Sequence, residues 1–284
     1  DYKYNQKQKK EIKVNGVPLK KLSELIGELN VVIFSPEDLQ LIKGTPAIRR
    51  KYIDKSISQI YPYYYKLLVD YNKILKQRNN FLKQKQVSSM IDIWDEQLSD
   101  YGAKIMKYRL EFLEELKKIC FDIHYGISQE KEHLKIDYLS NYLPKNLGEC
   151  DVYDKIYSGM LSNLKNRLDL DIKRGYTSVG PHRDDLAFYI NDREGKKFGS
   201  QGQIRTTALS LKLSEITIIK KILDEHPILI LDDVLSELDQ TRQNQLLSYI
   251  SDIQTFVTTT EIKSILESNI KDANIININD GNII

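Results

Sequence analysis

The stretch Ile228-Leu-Ile-Leu-Asp-Asp-Val-Leu-Ser-Glu-Leu-Asp239 decides how this chain is read. Four consecutive apolar residues mark a short strand buried on both faces, as in a parallel sheet. Such a strand carries Asp232 and Asp233 to its carboxyl end, where ligands sit in open α/β sheets. One carboxylate there can hold Mg²⁺ directly or through water, and a second beside it can polarise an attacking water. Taken alone, two acids after a strand also fit a plain surface turn.

Upstream stands Ser200-Gln-Gly-Gln203, directly before a helical pattern over 203–223. A hydroxyl, a flexible backbone and free N–H groups at the positive end of a helix dipole make an anion cradle suited to a γ-phosphate. The bland alternative is a Ser N-cap with a Gly turn. Downstream, the pattern predicts a helix over 240–250, a strand over 255–258, a helix over 262–266 and a hairpin over 275–284 around Asp280-Gly281. This alternation implies a parallel or mixed sheet.

Farther upstream, Glu11–Val14 and Val17–Leu19 flank the hairpin signal Asn15-Gly16. Val31–Phe34 predicts a buried strand, and Ser35-Pro36-Glu37-Asp38 predicts a capped helix start with Pro in its first position. From Ala47 to about Ile127 the pattern is helical, broken at 86–89 into two long helices packed as a hairpin. Of Tyr63, Tyr64 and Tyr65, not all can face one core. Residues 128–150 read as loop, 154–168 as helix, Leu186–Ile190 and Lys196–Phe198 as strands joined by the turn 191–195.

The 284 residues suffice for one large domain or two modest ones. Lys and Arg number 42 against 40 Asp and Glu, a net charge of +2, so any basic surface is local. Cys120 and Cys150 lack metal-ligand spacing and the four histidines are scattered, which argues against a disulfide framework or a zinc module. Free thiols suit a reducing cytosol, and the chain is expected to be cytoplasmic, with no membrane span or signal peptide. It starts at Asp1 without a methionine, which points to a fragment.

The order Ser-x-Gly-Gln turn, apolar strand with Asp232, then Ser236-Glu-Leu-Asp239 resembles the signature motif, Walker B strand and D-loop of ABC-type ATPases of the SMC and RecF group. Two long, irregular stretches narrow the resemblance to the RecF family. They are Pro36-Glu-Asp-Leu-Gln-Leu-Ile-Lys-Gly-Thr-Pro-Ala-Ile-Arg-Arg-Lys-Tyr-Ile-Asp54 and Val179-Gly-Pro-His-Arg-Asp-Asp-Leu186. The resemblance implies an α/β ABC-type ATPase head with an inserted helical lobe and a short antiparallel helical arm. Its divisions would be 1–46 (the remainder of lobe I), 47–210 (lobe II with the signature motif) and 211–284 (lobe I with Walker B and D-loop).

The sequence departs from the pattern at three places. No Gly-x-x-x-x-Gly-Lys-Ser/Thr occurs; in the family the P-loop precedes the point where this chain begins, so the chain alone is expected not to turn over ATP. Asp233 stands where a catalytic Glu is usual in ABC ATPases, as in RecF proteins. The switch histidine is replaced within Thr258-Thr259-Thr260, with Thr259, give or take one residue, as its counterpart. Both changes imply slow hydrolysis.

By the same resemblance, two protomers would sandwich ATP. Asp232 would hold Mg²⁺, Asp233 and Thr259 would be catalytic, and Ser200, Gln201, Gly202, Gln203, Ser236, Glu237 and Asp239 would bind nucleotide, the signature half in trans. DNA would lie across the closed dimer on local basic clusters, Arg49-Arg50-Lys51 and Lys76 with Arg78; a solvated helix face is the competing reading for each. Arg205 opposes its helix dipole, which suggests a phosphate or acidic partner. His182-Arg183 fits a functional role and a structural loop contact equally. The implied function is an ATP-gated clamp on gapped DNA, at single-strand/double-strand junctions, that helps load the recombinase with RecR and perhaps RecO. The alternatives are a non-catalytic DNA- or partner-binding module, a transport ATPase subunit disfavoured by the helical hairpin, and an SMC-type organiser disfavoured by the short arm.

Overall fold

The computed structural model describes residues 2–3, 11–84, 90–143, 151–235, 238–259, 274–280 and 282–283. The break expected at 86–89, the turn residues Pro144 and Gly148, Cys150, Ser236, Glu237 and the helix expected over 262–266 lie outside these residues.

Strands β1 (Tyr2–Lys3), β2 (Glu11–Val14) and β3 (Val17–Pro18) form a small antiparallel sheet. Its hairpin turns at Asn15 and Gly16, both with positive φ, as the Asn-Gly pair predicts. Strand β4 (Val31–Phe34) ends at Ser35, where Ser35 and Asp38 form a capping box over a single 3-10 turn, Pro36–Leu39, followed by the short α1 (Gln40–Lys43).

Three long helices follow: α2 (Pro46–Ile60), α3 (Pro62–Lys83) and α4 (Met90–Ile127). The sequence reading gave two. The missed break is Tyr61-Pro62: Pro62 has no N–H to donate, and the residue before a proline is driven from helical geometry, here to φ −126° and ψ 90°. Helices α3 and α4 pack together as expected, but α4 also packs along two later helices, α5 (Val152–Asn166) and α8 (Gln201–Leu223). One stripe of α4 faces inward: Ile91, Leu98 and Ile105 are buried, with Trp94 and Tyr101 half-buried beside them. Tyr64 is wholly buried while Tyr63 is 54% exposed.

The loop expected over 128–150 contains β5 (Leu134–Leu139), missed although Leu134 and Ile136 alternate inward with polar neighbours. It follows that the second sheet is antiparallel, β5 pairing with β6 (Asp185–Ile190) and β6 with β7 (Arg193–Glu194). Between α5 and β6 lies α6 (Leu168–Arg174). Lys196–Phe198, expected as a returning strand, belongs instead to the short helix α7 (Gly195–Phe198); both Asn191 and Asp192 have positive φ, and so tight a turn leaves β7 only two residues.

The decisive stretch forms β8 (Ile228–Asp232), followed by α9 (Gln240–Tyr249) and β9 (Thr255–Thr258). The order β4-β8-β9 is parallel throughout, with Phe34 beside Leu231 and Asp232 beside Thr258. One face of this sheet, through Val32, Phe34, Leu229 and Leu231, joins the core. On the other face, expected to be buried as well, the outer members of the row Ile33–Ile230–Phe256 are 39% and 55% exposed among the described residues. A hairpin of β10 (Ile278–Asn279) and β11 (Asn282–Ile283) turns at Asp280.

The two stretches that carry the family resemblance meet in the fold. Arg49 grips Asp185 through two bonds of 2.6 and 2.9 Å and also donates to the Gly44 carbonyl at 3.0 Å. Arg50 donates to the Asp184 carbonyl at 2.6 Å. Arg109, from α4, reaches Asp54 at 2.8 Å on one side and the Pro181 carbonyl at 2.8 Å on the other. Asp184 accepts from Tyr138 at 2.7 Å and Tyr142 at 3.0 Å. Most of the polar groups that folding buries here thus gain a partner, as a low-dielectric site favours.

Candidate functional site

Parallel pairing places Asp232 at the carboxyl end of β8 with its side chain exposed. Its Oδ1 accepts from the Thr258 hydroxyl at 2.7 Å. The same hydroxyl oxygen, and the Thr258 carbonyl, each accept from the Asp233 N–H at 3.2 Å. Asp233 sits at φ +52°, a left-handed conformation that a short polar side chain tolerates, and the chain turns sharply there out of the strand. Thr258 is therefore the residue that touches Asp232; the expected counterpart, Thr259, is its neighbour.

Ser200 caps α8. Its Oγ accepts from the Gln203 N–H at 3.2 Å, and the Gln203 side-chain oxygen accepts from the Ser200 N–H at 2.9 Å. The N-cap reading of Ser200-Gln-Gly-Gln203 holds: the turn is a capping box, and it lies at the N-terminus of α8 with Ser200 and Gln201 exposed. Gly202 is not required by this chain's own packing. A Cβ there would meet nothing closer than Arg242 Nη2 at 3.5 Å.

Asp239 caps α9, accepting from the Arg242 N–H at 2.9 Å, while Arg242 forms an ion pair with the same carboxylate and donates from Nε to the Thr206 hydroxyl at 2.8 Å. The Arg242 N–H and guanidinium hold the Asp239 carboxyl below the usual range. Asp239 and the signature helix are therefore joined within one protomer. The described hydrogen bonds from the side chains of the signature turn to other elements run to Glu132 and to Lys43, whose Nζ donates to Gln201 Oε1 at 3.2 Å, and none runs to Asp232; Arg242 reaches Thr206, one turn further along α8. Arg205 lines a hollow of about 20 Å³ with Ser35, Val234 and Leu238, where the loops after β4 and β8 meet the first turns of α8.

A cation at Asp232 fits the chemistry of the donors. Among the described residues no group of three His, Cys, Asp or Glu could hold a metal by itself. Mg²⁺ takes one or two carboxylates, with waters and substrate phosphates completing its shell, so a lone exposed carboxylate oriented by a hydroxyl suffices.

The expected basic clusters come apart. Arg49 is 3% exposed and tied to Asp185; Arg78 is fully buried, bonded to Asp95 at 2.6 Å and to Asp171 and Thr177 at 2.9 Å. Neither is surface. A guanidinium with five donors suits a buried junction of carboxylates as well as it suits phosphate, and sequence does not separate the two uses. Arg50 is half-buried, and Lys51 and Lys76 are exposed. His182 is structural: Nδ1 faces the Tyr71 hydroxyl at 2.7 Å and Nε2 the Thr177 carbonyl at 3.1 Å, and burial pulls its pKa down to about 4. Cys120 is a buried thiol whose pKa burial pushes up to about 12. Of the residues that sequence reasoning missed, Arg242 was legible three positions after a capping Asp. Lys43 and Glu132 reach the site only through the fold, while Thr258 falls within the one-residue margin given to Thr259.

A parallel sheet ending in Asp232, a capped signature helix and an inserted helical lobe define an ABC-type ATPase head. No protein-family model matches the chain. The DNA replication and repair protein RecF of Clostridioides difficile strain 630 is 44% identical over 281 residues, covering 98% of this chain and 74% of the relative. That of Streptococcus gordonii strain Challis is 48% identical over 274 residues, covering 95% of this chain and 74% of the relative. The solved structures of the recombination mediator protein RecF-ATPrS and RecF-ATP in the RecFOR pathway superpose with TM-scores of 0.88 and 0.87 at 39% identity, covering 99% and 100% of this chain and 74% of each. The chain belongs to the RecF family of DNA replication and repair proteins. Among the described residues no helix is long and apolar enough to cross a membrane.

Proposed function

We propose that this chain is the greater part of an ATP-gated DNA clamp that acts at gapped DNA in recombinational repair. Its lobes would be 1–46, 47–210 and 211–284, with α8 running continuously through the second junction. The observation that carries the reading is that the two half-sites share no described hydrogen bond within one protomer. Asp232 stands exposed beside Thr258, while Ser200 and Gly202 present an exposed helix N-terminus elsewhere on the same protomer. Two copies arranged head to tail would bring one half-site against the other, with two ATP molecules between them.

In that arrangement Asp232 holds Mg²⁺, which when bound neutralises charge developing on the phosphates. Asp233 and the threonines at the end of β9, Thr258 and Thr259, orient the attacking water. Neither threonine hydroxyl titrates near neutral pH, so turnover is slow. The Ser200 hydroxyl and the N–H groups of Gln201 to Gln203 hold the γ-phosphate of the nucleotide bound to the partner copy. Ser236, Glu237 and Asp239 flank the same seam. DNA binds through its phosphates on exposed lysines, Lys51 and Lys76 among them, with Arg50 beside Lys51. The remaining elements of the proposal are recombinase loading with RecR and RecO, and a cytoplasmic setting. ATP-dependent dimerisation of the full-length protein tests it, read by sedimentation with and without Mg-ATP. Wild type should dimerise with ATP. Ser200→Arg should stay monomeric yet still bind ATP. Asp232→Ala should lose hydrolysis. A wild-type protein that remains monomeric with saturating ATP defeats the clamp.

A further inference from the structure

Glu132 lies in the loop between α4 and β5, far in sequence from the signature turn. Its Oε1 accepts from Gln203 Nε2 at 3.0 Å. Its Oε2 lies 3.3 Å from His124 Nε2, an imidazole fully buried in the last turn of α4, whose Nδ1 is 3.3 Å from the Ser210 hydroxyl of α8. Its main-chain N–H donates to the Ser128 hydroxyl at 3.2 Å, just past the end of α4. One carboxylate oxygen thus accepts from Gln203, the other lies beside His124, and the main chain of Glu132 is tied to Ser128.

We propose that Glu132 is a positioning residue for the signature turn, which it ties to the long helix α4. The inference rests on reading Ser200–Gln203 as the phosphate-binding turn. A Gln amide offers an acceptor at one end and donors at the other. Gln203 must present Oε1 to the Ser200 N–H to close the capping box. A carboxylate accepts only, so Glu132 fixes the amide in the orientation that does this. The flipped amide would set oxygen against carboxylate and N–H against N–H. Residue 132 therefore decides whether the capping box that holds Ser200 and Gln203 in place stays closed.

Amide hydrogen exchange at Ser200 and Gln203, measured on the full-length protein without nucleotide, reads this directly. Glu132→Ala should speed exchange by about tenfold, the worth of one hydrogen bond. Glu132→Gln retains an acceptor and should exchange like wild type. Glu132→Lys presents only donors and should exchange at least as fast as Glu132→Ala. ATP-dependent dimerisation should weaken in the same order while ATP binding to the monomer holds. Wild-type exchange in Glu132→Ala, or exchange in Glu132→Gln as fast as in Glu132→Ala, overturns the proposal. If exchange follows the pattern but the wild-type protein never dimerises with ATP, the positioning role stands and the phosphate-binding reading falls.

Discussion

Thr258 faces Asp232 across the β8–β9 pairing, and its hydroxyl proton goes to Oδ1 of that carboxylate. The hydroxyl oxygen of Thr258 accepts in turn from the Asp233 N–H, so one side chain orients Asp232 and anchors the turn after it. Loss of such an outer-shell partner typically costs ten- to a hundredfold in metal affinity or activity. Thr258→Val, close to isosteric, should therefore lower ATP turnover of the full-length protein by about tenfold or more. Thr259→Val should lower it less; a steady-state assay of both variants ranks them, and the reverse ranking would return the role to Thr259. At His182 the expectation concerns pH. Burial holds its folded pKa at about 4, below the unfolded value of about 6.5. The folded form prefers neutral imidazole, so this contribution is complete above the unfolded pKa and is lost as pH falls from there towards 4. The difference corresponds to about 3 kcal/mol. Urea melts between pH 7 and 4 should show His182→Gln with a flatter decline than wild type.

Among the elements, α3 depends on Arg78, which joins it to Asp95 of α4, Asp171 of α6 and Thr177. Removing one partner of a buried ion pair costs about 3–5 kcal/mol, because the remaining charges stay buried. Arg78→Ala should lower the unfolding free energy from urea denaturation by that amount, and Lys76→Ala, exposed on the same helix, by less than about 0.5 kcal/mol. The contrast shows where sequence stopped being informative. Periodicity announced α3 and α4, but Arg78 looked like Lys76 because burial of a guanidinium depends on Asp95 and Asp171, brought to it by other elements. Strand β8 and helix α8 were legible to within two residues because a run of aliphatics and a Ser-Gln-Gly-Gln cap are local signals. The break before Pro62 was also local and was overlooked inside a long helical pattern. Strand β5 was harder: its six residues alternate, but its partner β6 lies about 50 residues on. The exposure of Ile33 and Phe256 beside β8 among the described residues could not be read from four aliphatics, since any covering layer is a matter of topology.

For the molecule as a whole, a net charge of +2 makes DNA affinity a property of particular lysines. If Lys51 and Lys76 touch phosphates, replacing each with Ala should lower the slope of log affinity against log salt by about 1, uniformly across DNA sequences. Titrations of gapped duplex at several salt concentrations give the slope; an unchanged slope in both variants places the DNA elsewhere. The polar network that binds Arg49 to Asp185, Arg50 to the Asp184 carbonyl, and Asp54 through Arg109 to Pro181 has a different reach. It makes two stretches more than a hundred residues apart a single unit of inheritance. Among descendants of a common ancestor, positions 49 and 185 should change together or not at all, and a chimera that takes one stretch from a distant relative should fold only when it takes the other as well.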